Sequence, residues 1–388
     1  MANTQAIDHV LRQAVQAHDV PGVVAMAATD QGVVHEGAFG SRALGTDTAM
    51  TPDTVVWIAS MTKAITSAAA MQLVERGQLQ LDTPAADVVP ELAQAQVLAG
   101  FDASGTPQLR APRHAITLKH LLTHTAGFSY EMFSADIVQY QTATGIPGII
   151  TCEHAALMTP LLCDPGERWE YGINIDWVGK VVEVVSGQKL GDYLQHNFFA
   201  PLGMHSTSFK ISPSQRARLA SVHMRGPDEA LAVLPFEIPQ EPQFQMGGGG
   251  LYSTAPDYLR FTQMLLQRGT FNGNQVLQPE TVHTMAQNHI GDLDCVELQT
   301  AIPELTHNAN FFPGMPQKWG LGFLINTAQT PQGRSPGSLA WAGLANTFFW
   351  IDPTKCVTGV FLTQMLPFFD PRAIALFRAY EAAVYQAL

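Results

Sequence analysis

The chain is short of several things, and each shortage removes a class of function. It has four cysteines among 388 residues, Cys152, Cys163, Cys295 and Cys356, and no two of them form a C-x-x-C pair. A disulfide framework or thiolate metal site would need closer spacing, so reduced thiols in the core or on the surface are expected. Charged residues make up 14% of the chain, against about 25% in an average soluble domain. Positive charge is the scarcer sign: 21 Lys and Arg face 33 Asp and Glu, for a net charge of −12. With no basic cluster along the chain, neither nucleic acid nor an anionic membrane is an expected partner. No apolar run approaches the roughly 18 residues that span a bilayer. The opening "MANTQAIDHVLRQAVQAHDV" lacks the basic start, apolar stretch and cleavage site of a signal peptide. Ile7, Val10, Leu11 and Val15 recur there at helical spacing instead. A cytoplasmic protein is the expectation.

Apolar residues, at 46%, are plentiful enough for a large core. The length exceeds the ~100–200 residues of one domain, which points to two lobes. "GVVAMAATDQGVVHEGAFG" (22–40) reads as a β-hairpin turned at "TDQG". From about 80 to 240, helical segments such as 116–126 and 175–186 alternate with Pro/Gly-rich loops. "APDYLRFTQMLLQRG" reads as a helix, with Thr254 and Asp257 as a capping box and Gly269 as its stop. Strands are expected at 319–326, 338–343, 346–352 and 356–362, and a closing helix at 371–387. The β-rich ends therefore predict an α/β domain of residues 1–80 plus 240–388, with a helical lobe, 81–239, inserted and the active site between them.

"WIASMTKAITSAAAMQLVERG" (57–77) carries the chemistry. Ser-x-x-Lys is common by chance, and a serine before a helix is usually an N-cap. Here, however, Ser60 and Lys63 share a helix face, at the end where the dipole favours an oxyanion. The small apolar residues that follow predict a buried helix, and a desolvated lysine can accept a proton near neutral pH.

A second serine competes. "GRSPG" (333–337) matches G-x-S-x-G formally. It lacks the strand–turn–helix context, and the last histidine of the chain, His307, precedes it. Ser335 is therefore read as part of a turn. His120 and His124 in "HLLTH" lack the internal glutamate of H-E-x-x-H and read as cap or core residues. Gly247–Gly250 carries no phosphate-loop spacing and reads as close strand packing. No metal or organic cofactor is implied.

In order along the chain stand "SMTK" (60–63), "LLTHTAGF" (121–128), "PGERWEYGINIDWVG" (165–179), "PLGM" (201–204), "GGGGLYST" (247–254) and "WAG" (341–343). This ordered set, over nearly the whole length, resembles the serine β-lactamase and penicillin-binding-protein superfamily, and within it the class C-like family VIII carboxylesterases. The resemblance implies an antiparallel sheet flanked by helices with an inserted helical lobe. It implies Ser60 as acylated nucleophile, Lys63 as its base and Tyr171 as a second proton-handling group coupled to Lys63. Gly172 stands where the esterases tend to have serine, and Asn174 is three positions after Tyr171 instead of two. Tyr130 falls where these enzymes place an aromatic that lines the site.

"WAG" departs from the K-T-G triad of true β-lactamases. Trp341 cannot make the lysine's charge-assisted contact with a drug carboxylate but can stack on an apolar acyl group. Gly343 would let a substrate lie against the strand. The backbone N–H groups of Leu344 and Ser60 would form the oxyanion hole. Residues 128–150 and 303–318 are expected to wall an apolar pocket. The expected reaction is hydrolysis of a small ester by a serine carboxylesterase. The rivals are a β-lactamase or D-amino-acid peptidase, an acyltransferase on the same acyl-enzyme, and a non-catalytic penicillin-binding sensor. No feature of the sequence sets an oligomeric state.

Overall fold

A computed structural model describes residues 4–388. Its central sheet draws strands from both ends of the chain. Helix α1 (Thr4–Gln16) is followed by the hairpin of β1 (Gly22–Thr29) and β2 (Gly32–Gly40), with a bulge between Ala27 and Ala28. Short β3 (Val56–Trp57) leads into α2 (Thr62–Glu75). The middle of the chain contributes α3 (Leu118–Leu122), α4 (Ala135–Thr144) and α5 (Asn174–Ser186). Then come β4 (Tyr252–Ser253), paired antiparallel with β3, and α6 (Ala255–Leu266). The other strands of the central sheet are β5 (Gln317–Trp319), β6 (Leu324–Asn326), β7 (Leu339–Gly343), β8 (Thr347–Asp352) and β9 (Val357–Leu362), followed by α7 (Pro371–Ala387). The seven-stranded sheet runs β5-β6-β7-β8-β9-β1-β2 and is antiparallel throughout. No helix among the described residues is long and apolar enough to cross a membrane.

β8 shows why the sheet must be a middle layer. Every residue of "TFFWID" is buried, and successive side chains point to opposite faces. Phe348 stacks on Phe377 of α7 with ring centres 4.4 Å apart, while Phe349 meets Tyr258 of α6 at 5.2 Å. Helix α2 is enclosed as well: every residue from Thr62 to Leu73 is buried, as its lack of a polar face predicts. Tyr258 Oη donates to the Met61 carbonyl at 2.9 Å, so α6 pins the start of α2.

Several expectations needed correction. The stretch 319–326 is two strands, because Gly322 at φ +104° turns the chain between β5 and β6 and Gly320 N–H donates to Phe323 O. The helix expected at 116–126 is only Leu118–Leu122. Thr117 and His120 cap its start, and His124 at φ +56° lies beyond its end. Thr254 Oγ1 does accept from Asp257 N–H at 3.4 Å. The Asp257 carboxylate instead accepts from Ser206 N–H and Thr207 Oγ1, so the capping box is half made. Gly247–Gly250 is a turn before β4 and not strand packing.

The "GRSPG" serine lies in a turn, as read. Gly337 N–H donates to Asn326 O, and Ser335 N–H donates to Asp352 Oδ2 at 2.8 Å. Its neighbour Arg334 is buried against Glu381 of α7, with Nη2–Oε2 at 2.9 Å. The motif therefore ties the turn to a helix. Removing one member of a buried ion pair costs about 3–5 kcal/mol. Urea unfolding of Glu381→Gln is expected to show a loss of that order, while the folded fraction keeps the wild-type turnover per molecule.

Candidate active site

Ser60 sits in a 3-10 turn, Ala59–Met61, immediately before α2. It is not the helix N-cap, since Met61 holds that place without any side-chain bond. Ala59 is held at φ +43°, a region alanine avoids. The surroundings force the turn: Ile58 N–H donates to Leu251 O, and Leu251 N–H donates to Thr62 Oγ1. β7 also presses on it. A Cβ on Gly343 would stand 2.3 Å from the Ile58 carbonyl oxygen. Gly343 is thus required for the approach of the strand to the Ser60 turn, where the expectation was that it let substrate lie against the strand.

Lys63 is fully buried. Its Nζ reaches Ser60 Oγ at 3.0 Å, Tyr130 Oη at 2.9 Å and the Gly248 carbonyl at 2.6 Å. Three donors of an ammonium thus have three acceptors. The rings of Tyr130 and Tyr171 stand 5.0 and 4.9 Å from Nζ. Burial lowers the Lys63 pKa to about 7, against the opposing pull of Asp176.

Asp176, on the first turn of α5, falls within the 165–179 motif, but its place in the site was missed. It is fully buried, accepts from Gly248 N–H at 2.8 Å, and lies 3.5 Å from Tyr130 Oη. Burial pushes its carboxyl up to about 6, with Lys63 opposing. Gly248 therefore joins the pair, its N–H on the carboxylate and its C=O on the lysine. A Cβ there would lie 2.4 Å from Asp176 Oδ2, which accounts for glycine at that position. The signal that could have located it was "MGGGGLYST" read together with a buried Ser-x-x-Lys helix.

The two tyrosines divide differently from expectation. Tyr130, assigned only to the lining, is the one bonded to Lys63. Tyr171 accepts from Trp341 Nε1 at 3.0 Å, with Ser60 beside its hydroxyl. Burial pushes both phenols well up, so both stay protonated at neutral pH. Trp341 borders the cleft with little of its ring open, 4% exposed. Phe311 covers it at 5.0 Å and Trp319 meets it edge-on at 4.7 Å. Of the two aromatic residues of the 303–318 loop, Phe311 packs on Trp341 and Phe312 stands by Arg334, and neither lines the cleft.

His124 is buried beside Tyr171, ring centres 4.8 Å apart. Its Nδ1 faces Asn174 Nδ2 at 3.0 Å and Gly172 N–H at 3.5 Å. Both are donors, so Nδ1 accepts, and burial keeps the ring neutral. His120 Nδ1 accepts from Thr117 N–H in the cap of α3. Gly172 packs so tightly on Phe128 and Ser129 that a Cβ would come within 2.3 Å of the Phe128 carbonyl. A serine at this position would not fit this backbone.

The cleft over Ser60 encloses about 510 Å³, solvent at its mouth included. Met132, Phe133, Ile149 and Ile150 wall one side, as the 128–150 segment suggested. Trp57, Met246, Leu298 and Phe368 supply walls that sequence reasoning missed. Gly343 and Leu344 border the same space. No charged side chain lines it.

The sequence profile described as Beta-lactamase matches residues 7–383. The chain belongs to the beta-lactamase family. Among its family relatives is monacolin J acid methylbutanoyltransferase of Aspergillus terreus, 32% identical over 401 residues, covering 98% of this chain and 95% of the relative. Another is lovastatin esterase of Penicillium rubens, 31% identical over 372 residues and 91% of each chain. Unliganded simvastatin synthase from Aspergillus terreus superposes with a TM-score of 0.86 at 31% identity, covering 99% of this chain and 98% of that one. The beta-lactamase-type fold expected from the motifs is therefore established, and its relatives include both acyltransferases and an esterase.

Within this beta-lactamase fold, the Asp176 charge raises the Lys63 pKa that burial lowers. Neutralising it should let Lys63 lose its proton at lower pH. In Asp176→Asn the acid limb of kcat/KM is expected to move down by roughly one pH unit, within the range of a nearby opposite charge. A profile measured from pH 5 to 9 checks this.

Proposed function

We propose that this protein is a serine acyl-transfer enzyme that takes the acyl group of a small neutral ester onto Ser60 and releases it to an alcohol or to water. The observation that carries the reading is Lys63 Nζ, 3.0 Å from Ser60 Oγ and lowered to about 7, beneath a cleft without charged lining. Neutral Lys63 takes the Ser60 proton as Oγ bonds to the ester carbonyl carbon. The N–H groups of Ser60 and Leu344 would receive the developing oxyanion. As the carbon–oxygen bond of the ester breaks, Tyr171 gives its proton to the departing alkoxide. The Lys63 ammonium over the ring stabilises the phenolate left behind. In the second half-reaction an acceptor O–H returns a proton to Tyr171 while attacking the acyl carbon, and Lys63 reprotonates Ser60. Every proton is thus accounted for. Tyr171 is an acid first and a base only in its transient phenolate form.

The substrate class follows from the lining. A carboxylate, as on a β-lactam or a D-amino-acid peptide, would enter a wall of Trp57, Met132, Phe133, Met246 and Phe368 with no cation to meet it. That disfavours a lactamase, a peptidase or a penicillin sensor. Transfer to an alcohol stands beside hydrolysis because relatives of about equal identity carry methylbutanoyltransferase and esterase names.

The test is turnover of a short-chain p-nitrophenyl ester, with and without a neutral alcohol acceptor. Ser60→Ala is expected to lose at least about 10³-fold in kcat, and Ser335→Ala to keep wild-type rates. An acylated alcohol among the products identifies a transferase; free acid alone identifies an esterase. Retained turnover in Ser60→Ala, or loss confined to Ser335→Ala, would refute the assignment.

A further inference from the structure

Tyr130, Met132 and Phe133 line the cleft over Ser60, and Glu131 among them does not. Glu131 opens a 3-10 turn, Glu131–Phe133, and its Oε1 accepts from the Ile149 N–H at 3.1 Å. Ile149 opens a second such turn, Ile149–Thr151, and Ile149 and Ile150 line the same cleft. One bond thus joins two pieces of wall that α4 separates in the chain.

A second observation meets at the same oxygen. A Cβ on Gly148 would stand 2.6 Å from Glu131 Oε1. Gly148 has φ −67° and ψ 155°, a backbone open to any residue. Glycine is there for the room the carboxylate takes and not for conformational freedom. Burial pushes the Glu131 carboxyl up, and the Ile149 N–H opposes this. A desolvated carboxylate is a costly tie between two loops, so its position needs a reason beyond stability.

The joined wall adjoins Tyr171. Ring centres of Phe133 and Tyr130 lie 6.0 and 5.4 Å from that of Tyr171. In the acyl transfer proposed above, Tyr171 gives its proton to the departing alkoxide, so the alcohol part of the ester lies along this wall. We infer that Glu131 is a positioning residue that sets the size of alcohol the cleft accepts, by clasping Ile149 to the Tyr130–Phe133 turn. The inference rests on the acyl-transfer reading and adds to it a determinant that touches no substrate.

The test compares kcat/KM for cyclohexyl acetate and ethyl acetate. Glu131→Ala is expected to raise the cyclohexyl-to-ethyl ratio about three- to tenfold, the usual worth of one hydrogen bond, and to speed hydrogen exchange at the Ile149 amide. Glu131→Gln loses the charge but keeps an acceptor oxygen, so both readouts stay near wild type. Gly148→Ala pushes the carboxylate aside and is expected to follow Glu131→Ala, which decides the matter should Glu131→Ala not fold. The ratio of p-nitrophenyl butyrate to p-nitrophenyl acetate, which varies the acyl group alone, is expected to hold in every variant. An unchanged alcohol ratio in Glu131→Ala and Gly148→Ala, or an equal shift of both ratios, would overturn the inference while the wild type still turns over. A wild type that cleaves none of these esters would refute the acyl-transfer reading, and the inference with it.

Discussion

Lys63 is held out of water at the first turn of a helix that has no wet face, with Ser60, Tyr130 and Gly248 around its Nζ. Much of the surrounding architecture answers to that burial. An unpaired ammonium in an apolar interior is expensive enough that the group shifts its pKa or acquires a counter-charge. This chain does both: the lysine is lowered towards neutrality, and Asp176 approaches it through Tyr130 and Gly248. The lysine is consequently able to accept a proton near neutral pH. The glycine tract is backbone exposed for this purpose, giving a carbonyl to Lys63 and an N–H to Asp176 at one residue.

The turn that carries Ser60 is set by compression. Gly343 allows β7 to crowd the Ile58 carbonyl, and Ala59 is bent into a conformation that alanine avoids. Strain of this kind persists only where the surroundings over-determine it, here by bonds from Leu251, Thr62 and Tyr258. Trp341, two positions before that crowding strand end, then fixes Tyr171 by its N–H while an aromatic box of Trp319 and Phe311 fixes Trp341. Holding the tyrosine by a neutral indole, where a lactamase-like K-T-G triad would bring a cation, keeps the cleft free of charge. The same choice selects the kind of substrate it can desolvate.

Much of this was legible in the sequence because it rests on local pattern. The uncharged, small-residue run after "SMTK" foretold a buried helix, and the apolar run in "NTFFWID" lies in a strand covered on both faces. "GRSPG" could be set aside from chain order alone. What could not be read depends on residues far apart in the chain. Nothing local says that Tyr130, not Tyr171, would bond Lys63, 67 residues away. Asp176 and Gly248 meet only because α5 packs on α2 beside a turn of the chain 72 residues further on. The strand at 319–326 failed for a smaller reason, a glycine at positive φ that divides it in two.

The most direct measurement is the titration of Lys63 itself, followed by NMR of the isotopically labelled side chain in the folded protein. A midpoint near neutrality, about 7, is expected, far below an ordinary lysine. An ammonium that persists unchanged to pH 10 would mean that Lys63 serves as a fixed charge and that the proton of Ser60 goes elsewhere.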